Sequence, residues 1–277
     1  MTRINVINAN ARSLKPKTNS LLDCITELDS DFALLTETWL NDEHIEELQQ
    51  DLSLGSGLGL LALNRKPLNN GVSYGGVAIT WRESVGRLSK IQVKNSDEYE
   101  VLAAAVSLRG HSRKLVLVVC YVPPGYNRDR GKGAIDYVES VVIELKRRYQ
   151  DSYVLVGGDF KQWRIDEAMD NFADIKEVGV GPRRGRRSID QVFTNMYRSV
   201  TESGTKTPLE TEDDDKGKTK KSDHRVVFCK ISLQRRTKFR WINYSYRHYN
   251  DESVRKFREW IVSVSYTHLT LPTTPYV

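Results

Sequence analysis

Asn10, Glu37, Tyr121, Asp159, Asp190, Asp223 and His224 are the residues of this sequence whose types and placement point to chemistry. Each stands where a short apolar run ends or begins. Asn10 closes the first run and Glu37 follows residues 32–36. Tyr121 precedes a Pro-Pro turn, and Asp159 ends "VLVGGD". Asp190 lies in "SID" at the start of a late run, and "SDH", residues 222–224, comes just before the last. One polar residue at a strand end is a turn or a cap. A series of them is a rim, because the strand ends of a layered fold converge where a site can form. The carboxylates and the amide supply hard oxygen donors, and His224 adds one imidazole. Such a set, lacking thiolate, suits Mg²⁺ or Mn²⁺ better than Zn²⁺. A hard divalent ion among carboxylates can activate and clamp a phosphate ester. There is no Gly-x-x-x-x-Gly-Lys loop, which argues against nucleotide hydrolysis of the P-loop kind.

Positioning this set requires strands. Apolar, β-branched runs predict them at 4–8, 32–36, 76–81, 101–108, 115–122, 154–157, 189–193 and 226–233. Two helices are marked by apolar stripes, one at Leu21, Leu22, Ile25 and Leu28, the other at Ala134, Val138, Val141, Val142 and Leu145. Strands outnumber helices, and several follow one another with no helix between. That excludes a simple alternating parallel sheet. The expected fold is an α/β four-layered sandwich, with two packed, largely antiparallel mixed sheets flanked by helices.

Composition changes twice. Residues 205–222 are charged and nearly free of apolar side chains, which predicts an exposed loop. After Leu233 the chain turns basic and aromatic, with helical spacing at Val254, Phe257 and Ile261. This divides the sequence into a domain at 1–233, a basic-aromatic linker at 234–262 and a tail at 263–277. The Thr- and Pro-rich tail breaks the preceding pattern and resembles translated sequencing-adapter read-through, so it is read as non-native.

The chain has 277 residues and a formal net charge of +6. Arg183, Arg184, Arg186 and Arg187 cluster, which favours an anionic partner such as nucleic acid. Cys24, Cys120 and Cys229 show no metal-type spacing and read as buried free thiols of a reducing compartment. The N-terminal residues lack the apolar core of a signal peptide, and the longest apolar run is too short to span a bilayer. A soluble intracellular protein without a membrane partner is expected.

The motifs "NARSL", "LLTETWL", "VCYVPPG", "VGGDF", "SIDQVFTN" and "KSDHRVV" resemble, in this order, those of the endonuclease/exonuclease/phosphatase superfamily. The resemblance is strongest to the endonuclease domain that opens non-LTR retrotransposon polyproteins. It implies a metal-dependent DNA endonuclease that nicks one strand and leaves a 3′-hydroxyl for target-primed reverse transcription, acting in the nucleus as a monomer. Double-stranded DNA would be the target, and element RNA would be met only through a reverse transcriptase beyond the linker. Residue by residue, the resemblance makes Glu37 the metal-ligand glutamate, Asn10 a metal- and phosphate-site residue, and Asp223 a further carboxylate at the metal. Asp159 becomes the base that orients or deprotonates water, Asp190 the carboxylate behind His224, and His224 and Tyr121 phosphate contacts. Two positions depart from pattern. Lys161 replaces the asparagine of Gly-Asp-Phe-Asn and can donate hydrogen bonds without accepting any, so the alternative is a decayed copy that binds DNA without cutting it. Arg12 replaces the acidic residue of abasic-site repair relatives, which weakens a repair role. A lipid or inositol phosphatase on the same fold is disfavoured by the linker.

Overall fold

The structure is a computed structural model that describes residues 2–64, 74–95, 98–123, 128–160, 165–180, 183–184, 187–211, 220–233 and 250–263. In chain order the strands are β1 (Thr2–Asn10), β2 (Phe32–Thr36), β3 (Leu58–Leu63), β4 (Val77–Arg82), β5 (Gly86–Asn95), β6 (Glu100–Leu108) and β7 (Lys114–Tyr121). They continue with β8 (Tyr153–Asp159), β9 (Lys176–Val180), β10 (Arg183–Arg184), β11 (Arg187–Ser188), β12 (Asp190–Thr194), β13 (Val200–Lys206) and β14 (Val226–Leu233). The helices are α1 (Thr18–Glu27), α2 (Asp42–Ser56), α3 (Arg128–Arg148), α4 (Ile165–Asp170) and α5 (Asp251–Ser263).

Two six-stranded sheets result, one in the order β13-β14-β1-β2-β4-β3 and the other β5-β6-β7-β8-β12-β9. Among the described residues, β1–β2 and β7–β8 pair in parallel within them and the other ladders are antiparallel. Side chains alternate across each strand, and here both faces are covered. On β7, Leu115, Leu117 and Val119 join Val6, Leu34 and Ile79 of the other sheet in the inter-sheet core. Val116, Val118 and Cys120 instead meet Val138, Val141 and Leu145 of α3. Leu21 and Ile25 of α1 and Leu48 and Leu52 of α2 cover the outer face of the first sheet, against Ile7, Ala9, Ala33 and Leu35. The layers are therefore helices, sheet, sheet and helices, as the sequence predicts. Burial on both faces is why β7 and β8 read as unbroken apolar runs.

The paired glycines of "VGGDF" follow from this packing. A Cβ on Gly157 would lie 2.7 Å from Leu34 Cδ1 across the core, and one on Gly158 would lie 1.9 Å from the Cys120 carbonyl oxygen. Asn8 bridges the sheets at this point, donating from Nδ2 to the Gly158 carbonyl at 3.2 Å.

The chain divides into two compact units, Met1–Arg236 and Thr237–Val277. In the second unit α5 forms where the spacing of Val254, Phe257 and Ile261 predicts a helix. Residues 234–249 and 264–277 lie outside the described residues, so the linker and tail readings are carried by sequence alone. The charged run closes with a bridge between Glu210 and Lys221, and 212–219 fall outside the description. The three cysteines are free and buried. Among the described residues, no helix is long and apolar enough to cross a membrane.

Candidate active site

The parity that builds the inter-sheet core also builds the site. Along β1, Ile4 and Val6 face the other sheet, and the same face continues to Asn8 and Asn10. Along β8 it runs from Leu155 to Gly157 and Asp159, and along β7 it ends at Tyr121. In each strand the inward face changes from apolar to polar at one end. Register then gathers those ends: Asn10 lies beside Thr36, Tyr121 beside Asp159, and Asp190 opposite Asp159. The structure thus brings Asn10, Glu37, Tyr121, Asp159, Asp190, Asp223 and His224 to one rim.

Their contacts are specific. Asn10 donates from Nδ2 to Glu37 Oε1 at 2.9 Å and to Asp159 Oδ2 at 2.8 Å. His224 Nδ1 meets Asp190 Oδ2 at 2.7 Å. The other ring nitrogen, Nε2, stands 3.8 Å from Asp159 Oδ2 and 3.7 Å from Asp223 Oδ1. Asp159, Asp190 and His224 are buried, and buried polar groups of this kind are tolerated when they are hydrogen-bonded to one another. Tyr121 donates its hydroxyl to Glu37. Burial first, and then the Glu37 carboxylate, pushes that hydroxyl well above the ordinary tyrosine range, so it remains a donor.

Glu37 itself stands in a left-handed conformation at φ 50°, an uncommon place for a side-chain-bearing residue. Neighbours on both sides hold it there. Ser13 N donates to the Glu37 carbonyl at 2.9 Å and Leu14 N to that of Thr38 at 2.9 Å. On the other side Thr38 N and Trp39 N donate to the carbonyls of Gly76 and Gly75. Gly76 N in turn donates to Glu100 Oε2 at 2.6 Å. Glu100 is fully buried and lies opposite Tyr121.

Glu100 and Ser222 are supporting residues that sequence reasoning missed. Glu100 reads as an ordinary residue at the head of an apolar run, and only the β6–β7 register sets it beside the site. Ser222 donates from Oγ to the Asn10 carbonyl at 2.8 Å and accepts from His224 N at 3.3 Å. It ties the "SDH" turn to the end of β1, and its place in that motif was the available signal.

The donor set fits a hard divalent cation. Ligand atoms of Asp159, Asp190 and His224 lie within 4.8 Å of one another, and the rim carries oxygen donors with no thiolate. Asp190 and His224 Nδ1 engage each other directly. Glu37, joined to Asp159 through the Asn10 amide, is accordingly first among the residues that would hold the ion. Asp223 would have to leave Arg12, whose Nη1 stands 3.4 Å from Asp223 Oδ1, to join them. Of the basic residues singled out in the sequence, Arg183, Arg184 and Arg187 lie on the short β10–β11 ribbon. Arg186 and Lys161 are outside the described residues.

The sequence pattern of the Endonuclease/Exonuclease/phosphatase family matches residues 4–224. The chain belongs to this family. Enzymes of the Endonuclease/Exonuclease/phosphatase family are typically phosphodiesterases and nucleases and generally use a divalent metal. No curated protein matches the chain in sequence, whereas solved structures of the same fold are numerous. The endonuclease domain of TRAS1, a telomere-specific non-LTR retrotransposon, is similar with a TM-score of 0.54 and 15% identity, covering 84% of this chain and 100% of that one. TDP2 of D. rerio, complexed with single-strand DNA product, gives 0.53 at 15% identity, over 84% of this chain and 100% of the other. A mannosyl-6-phosphatase of Bacteroides thetaiotaomicron gives 0.61 at 12% identity, covering 83% and 100%. An endonuclease domain and a mannosyl-6-phosphatase share this fold, so the fold alone leaves the substrate open.

Proposed function

We propose that the protein is a metal-dependent DNA endonuclease of the retroelement type, nicking one strand of a duplex to leave a 3′-hydroxyl that can prime reverse transcription. The observation that carries the hydrolytic part is the buried Asp190–His224 bond of 2.7 Å, facing an Asp159 fixed by the Asn10 amide. Its DNA target is supported by the motif series, by the basic residues of the β10–β11 ribbon and by the similarity to the TRAS1 domain.

In this reading Asp159 takes the proton of the attacking water, held in one orientation by Asn10. Asp190 holds the His224 ring so that Nε2 faces the cleft, where a phosphate oxygen would be met. Fixed donors of this kind are effective because they need no reorganisation as charge develops. Tyr121, whose one hydroxyl proton goes to Glu37 here, would turn it to a phosphate oxygen once a cation takes up that carboxylate. Water adds to phosphorus and the bond to the 3′ oxygen breaks, so the phosphate stays on the 5′ side. A divalent cation, when bound, stabilises negative charge on the phosphate.

A second reading has one feature in its favour. Lys161 stands two residues beyond Asp159, and an ammonium close to a carboxylate makes it a weaker base. The protein then binds DNA with little or no cutting, as a decayed element copy would. In either version the protein would act in the nucleus, as a monomer, with element RNA engaged only by a reverse transcriptase.

Plasmid nicking by the purified protein with Mg²⁺, followed by polymerase extension of the nick, tests the proposal. Extendable nicks are the expected result. Release of phosphate from sugar or lipid phosphates without nicking would overturn it.

A further inference from the structure

Between β1 and α1 the chain makes a tight loop whose geometry the reaction scheme leaves unexplained. Arg12 and Ser13 follow one another in left-handed conformations, at φ 43° and 76°. Side-chain-bearing residues rarely adopt this region, and consecutive ones need external support. Lys17 provides it. Only 4% exposed, its ammonium donates to the carbonyls of Ala11 at 3.0 Å, Arg12 at 2.6 Å and Ser13 at 3.1 Å. An ammonium has three protons, and this loop supplies an acceptor for each. Arg12 N adds a bond to Asn10 Oδ1 at 3.1 Å. Burial first, then the charges of Arg12 and Lys220, lowers the Lys17 pKa from its ordinary value. Lys17 is therefore held in place against both desolvation and like charge.

What this device presents is Arg12. Its side chain is 53% exposed and stands 3.4 Å from Asp223 Oδ1, which is itself 3.7 Å from His224 Nε2. The guanidinium is thus at the mouth of the site, beside the imidazole that faces the cleft. An exposed ion pair of this kind contributes little to stability, so the fold gains little from holding an arginine here. A phosphate, by contrast, can accept two parallel hydrogen bonds from a guanidinium fork.

We propose that Arg12 exchanges Asp223 for a phosphate of the bound strand, and that Lys17 is the positioning residue that presents it. The inference rests on the endonuclease reading for its substrate, while its test can be read separately from that reading. The release of Asp223 that accompanies the exchange would also return a carboxylate to the metal-binding rim.

The experiment uses the wild-type protein, Arg12→Ala, Arg12→Lys, Lys17→Met and the Arg12→Ala/Lys17→Met double variant. Each is measured for duplex affinity across a salt series, for nicking, and for thermal unfolding. Arg12→Ala is expected to weaken duplex binding and to reduce the magnitude of the log-affinity against log-salt slope by about 0.9, the amount for one phosphate contact on duplex DNA. Arg12→Lys should keep the slope but recover only part of kcat/KM, because a lysine lacks the planar fork. Lys17→Met should reproduce the slope change of Arg12→Ala, and the double variant should be no worse in binding than Arg12→Ala alone, since the two residues act as a unit. Arg12→Ala changes an exposed side chain and should remain folded. Lys17→Gln, which keeps two donors, replaces Lys17→Met if that protein is too unstable to purify. An Arg12→Ala protein with the wild-type salt slope overturns the phosphate contact. A folded Lys17 variant with the wild-type slope overturns the positioning role. If the wild type binds DNA but does not nick it, the endonuclease reading fails, and the slope still decides the role of Arg12.

Discussion

The two ends of the sheets solve opposite problems with the same residue types. At the far end, ahead of β2, Arg82 pairs with Asp29 at 3.2 Å and approaches Asp31 at 4.0 Å. On the second sheet, Lys146 meets Asp174 there and Arg113 approaches Asp151. Each carboxylate has a cation, and solvent reaches most of them. At the cleft end Glu37, Glu100, Asp159 and Asp190 crowd together. Glu37, Asp159 and Asp190 are held by an amide, a phenol and an imidazole and Glu100 by the Gly76 N–H, while Arg12 stands beside the exposed Asp223. Gathering carboxylates out of solvent is costly for folding, and such crowding marks a functional site more often than a structural one. The far end keeps its charges paired and mostly solvated, and the cleft end, in the proposed function, would receive a cation and an anionic substrate.

If that division is right, the cleft end can be disabled without unfolding the protein. Asp159→Asn and His224→Ala should each reduce nicking by about a hundred- to ten-thousandfold, the range for a lost general base or a lost fixed donor. Asp190→Asn should fall in the same range, because the amide no longer holds the His224 ring in its tautomer. Thermal midpoints should stay close to that of the wild type. A variant that nicks normally, or one that loses both activity and fold, would break the contrast.

Lys161 sharpens it from the other side. Lys161→Asn restores a group that can donate and accept, and should raise nicking about a hundred- to a thousandfold. A paired time course at equal Mg²⁺ reads this directly. Equal rates for the two proteins would show that the lysine is harmless.

The backbone beneath Asp159 yields a smaller effect, on stability and activity together. A methyl group at Gly158 would lie 1.9 Å from the Cys120 carbonyl oxygen, a backbone atom of the neighbouring strand that cannot swing aside. Gly158→Ala should cost about 1–3 kcal/mol, as overpacking in a core does, and should lower nicking by displacing the base. Chemical unfolding beside a nicking assay would measure both. An unchanged midpoint would mean that β7 and β8 are less tightly apposed at the rim.

How much of this was legible in the sequence follows from burial. The strands that the apolar runs predict, β1, β2, β4, β6, β7, β8, β12 and β14, are the interior ones of both sheets. Besides the short β10–β11 ribbon, the missed strands, β3, β5, β9 and β13, are the edges of the two six-stranded sheets. Most edge strands are partly solvated, so "GRLSKIQVKN" and "VTESGTK" look like loops, and "LGLLAL" lacks any β-branched residue. α2 was missed because it buries only Leu48 and Leu52, too thin a stripe to stand out. Its Asn41 cap, accepting from His44 N at 2.7 Å, was the readable sign. The site residues were legible because a polar residue at the end of a core strand breaks an apolar pattern. Glu100, Ser222 and Lys17 were not, since their partners are backbone groups brought near only by strand register and loop shape.

The smallest expected effect lies at the far end, in Asp31. Its carboxylate accepts from Asn5 N at 2.9 Å, but its side chain is only 13% exposed and Arg82 reaches no nearer than 4.0 Å. Burial outweighs that hydrogen bond and raises its pKa from the ordinary 3.8 to about 6. The folded protein then holds this proton more tightly than the unfolded chain does. The resulting stabilisation is complete below the unfolded value and is lost as pH rises through the interval from 3.8 to about 6. Asp31→Asn keeps an oxygen for Asn5 N and removes the titration. Urea unfolding of the two proteins at pH 4 and pH 7 should therefore show the variant gaining about 1–2 kcal/mol relative to the wild type on going to the higher pH, a fraction of the 1.36 kcal/mol per pKa unit available. An identical pH dependence in both proteins would remove Asp31 as its source. Nicking should be unaffected, because Asp31 lies at the opposite end of β2 from Glu37. A loss of nicking with stability intact would show that the two ends are coupled, and the division of labour between them would have to be given up.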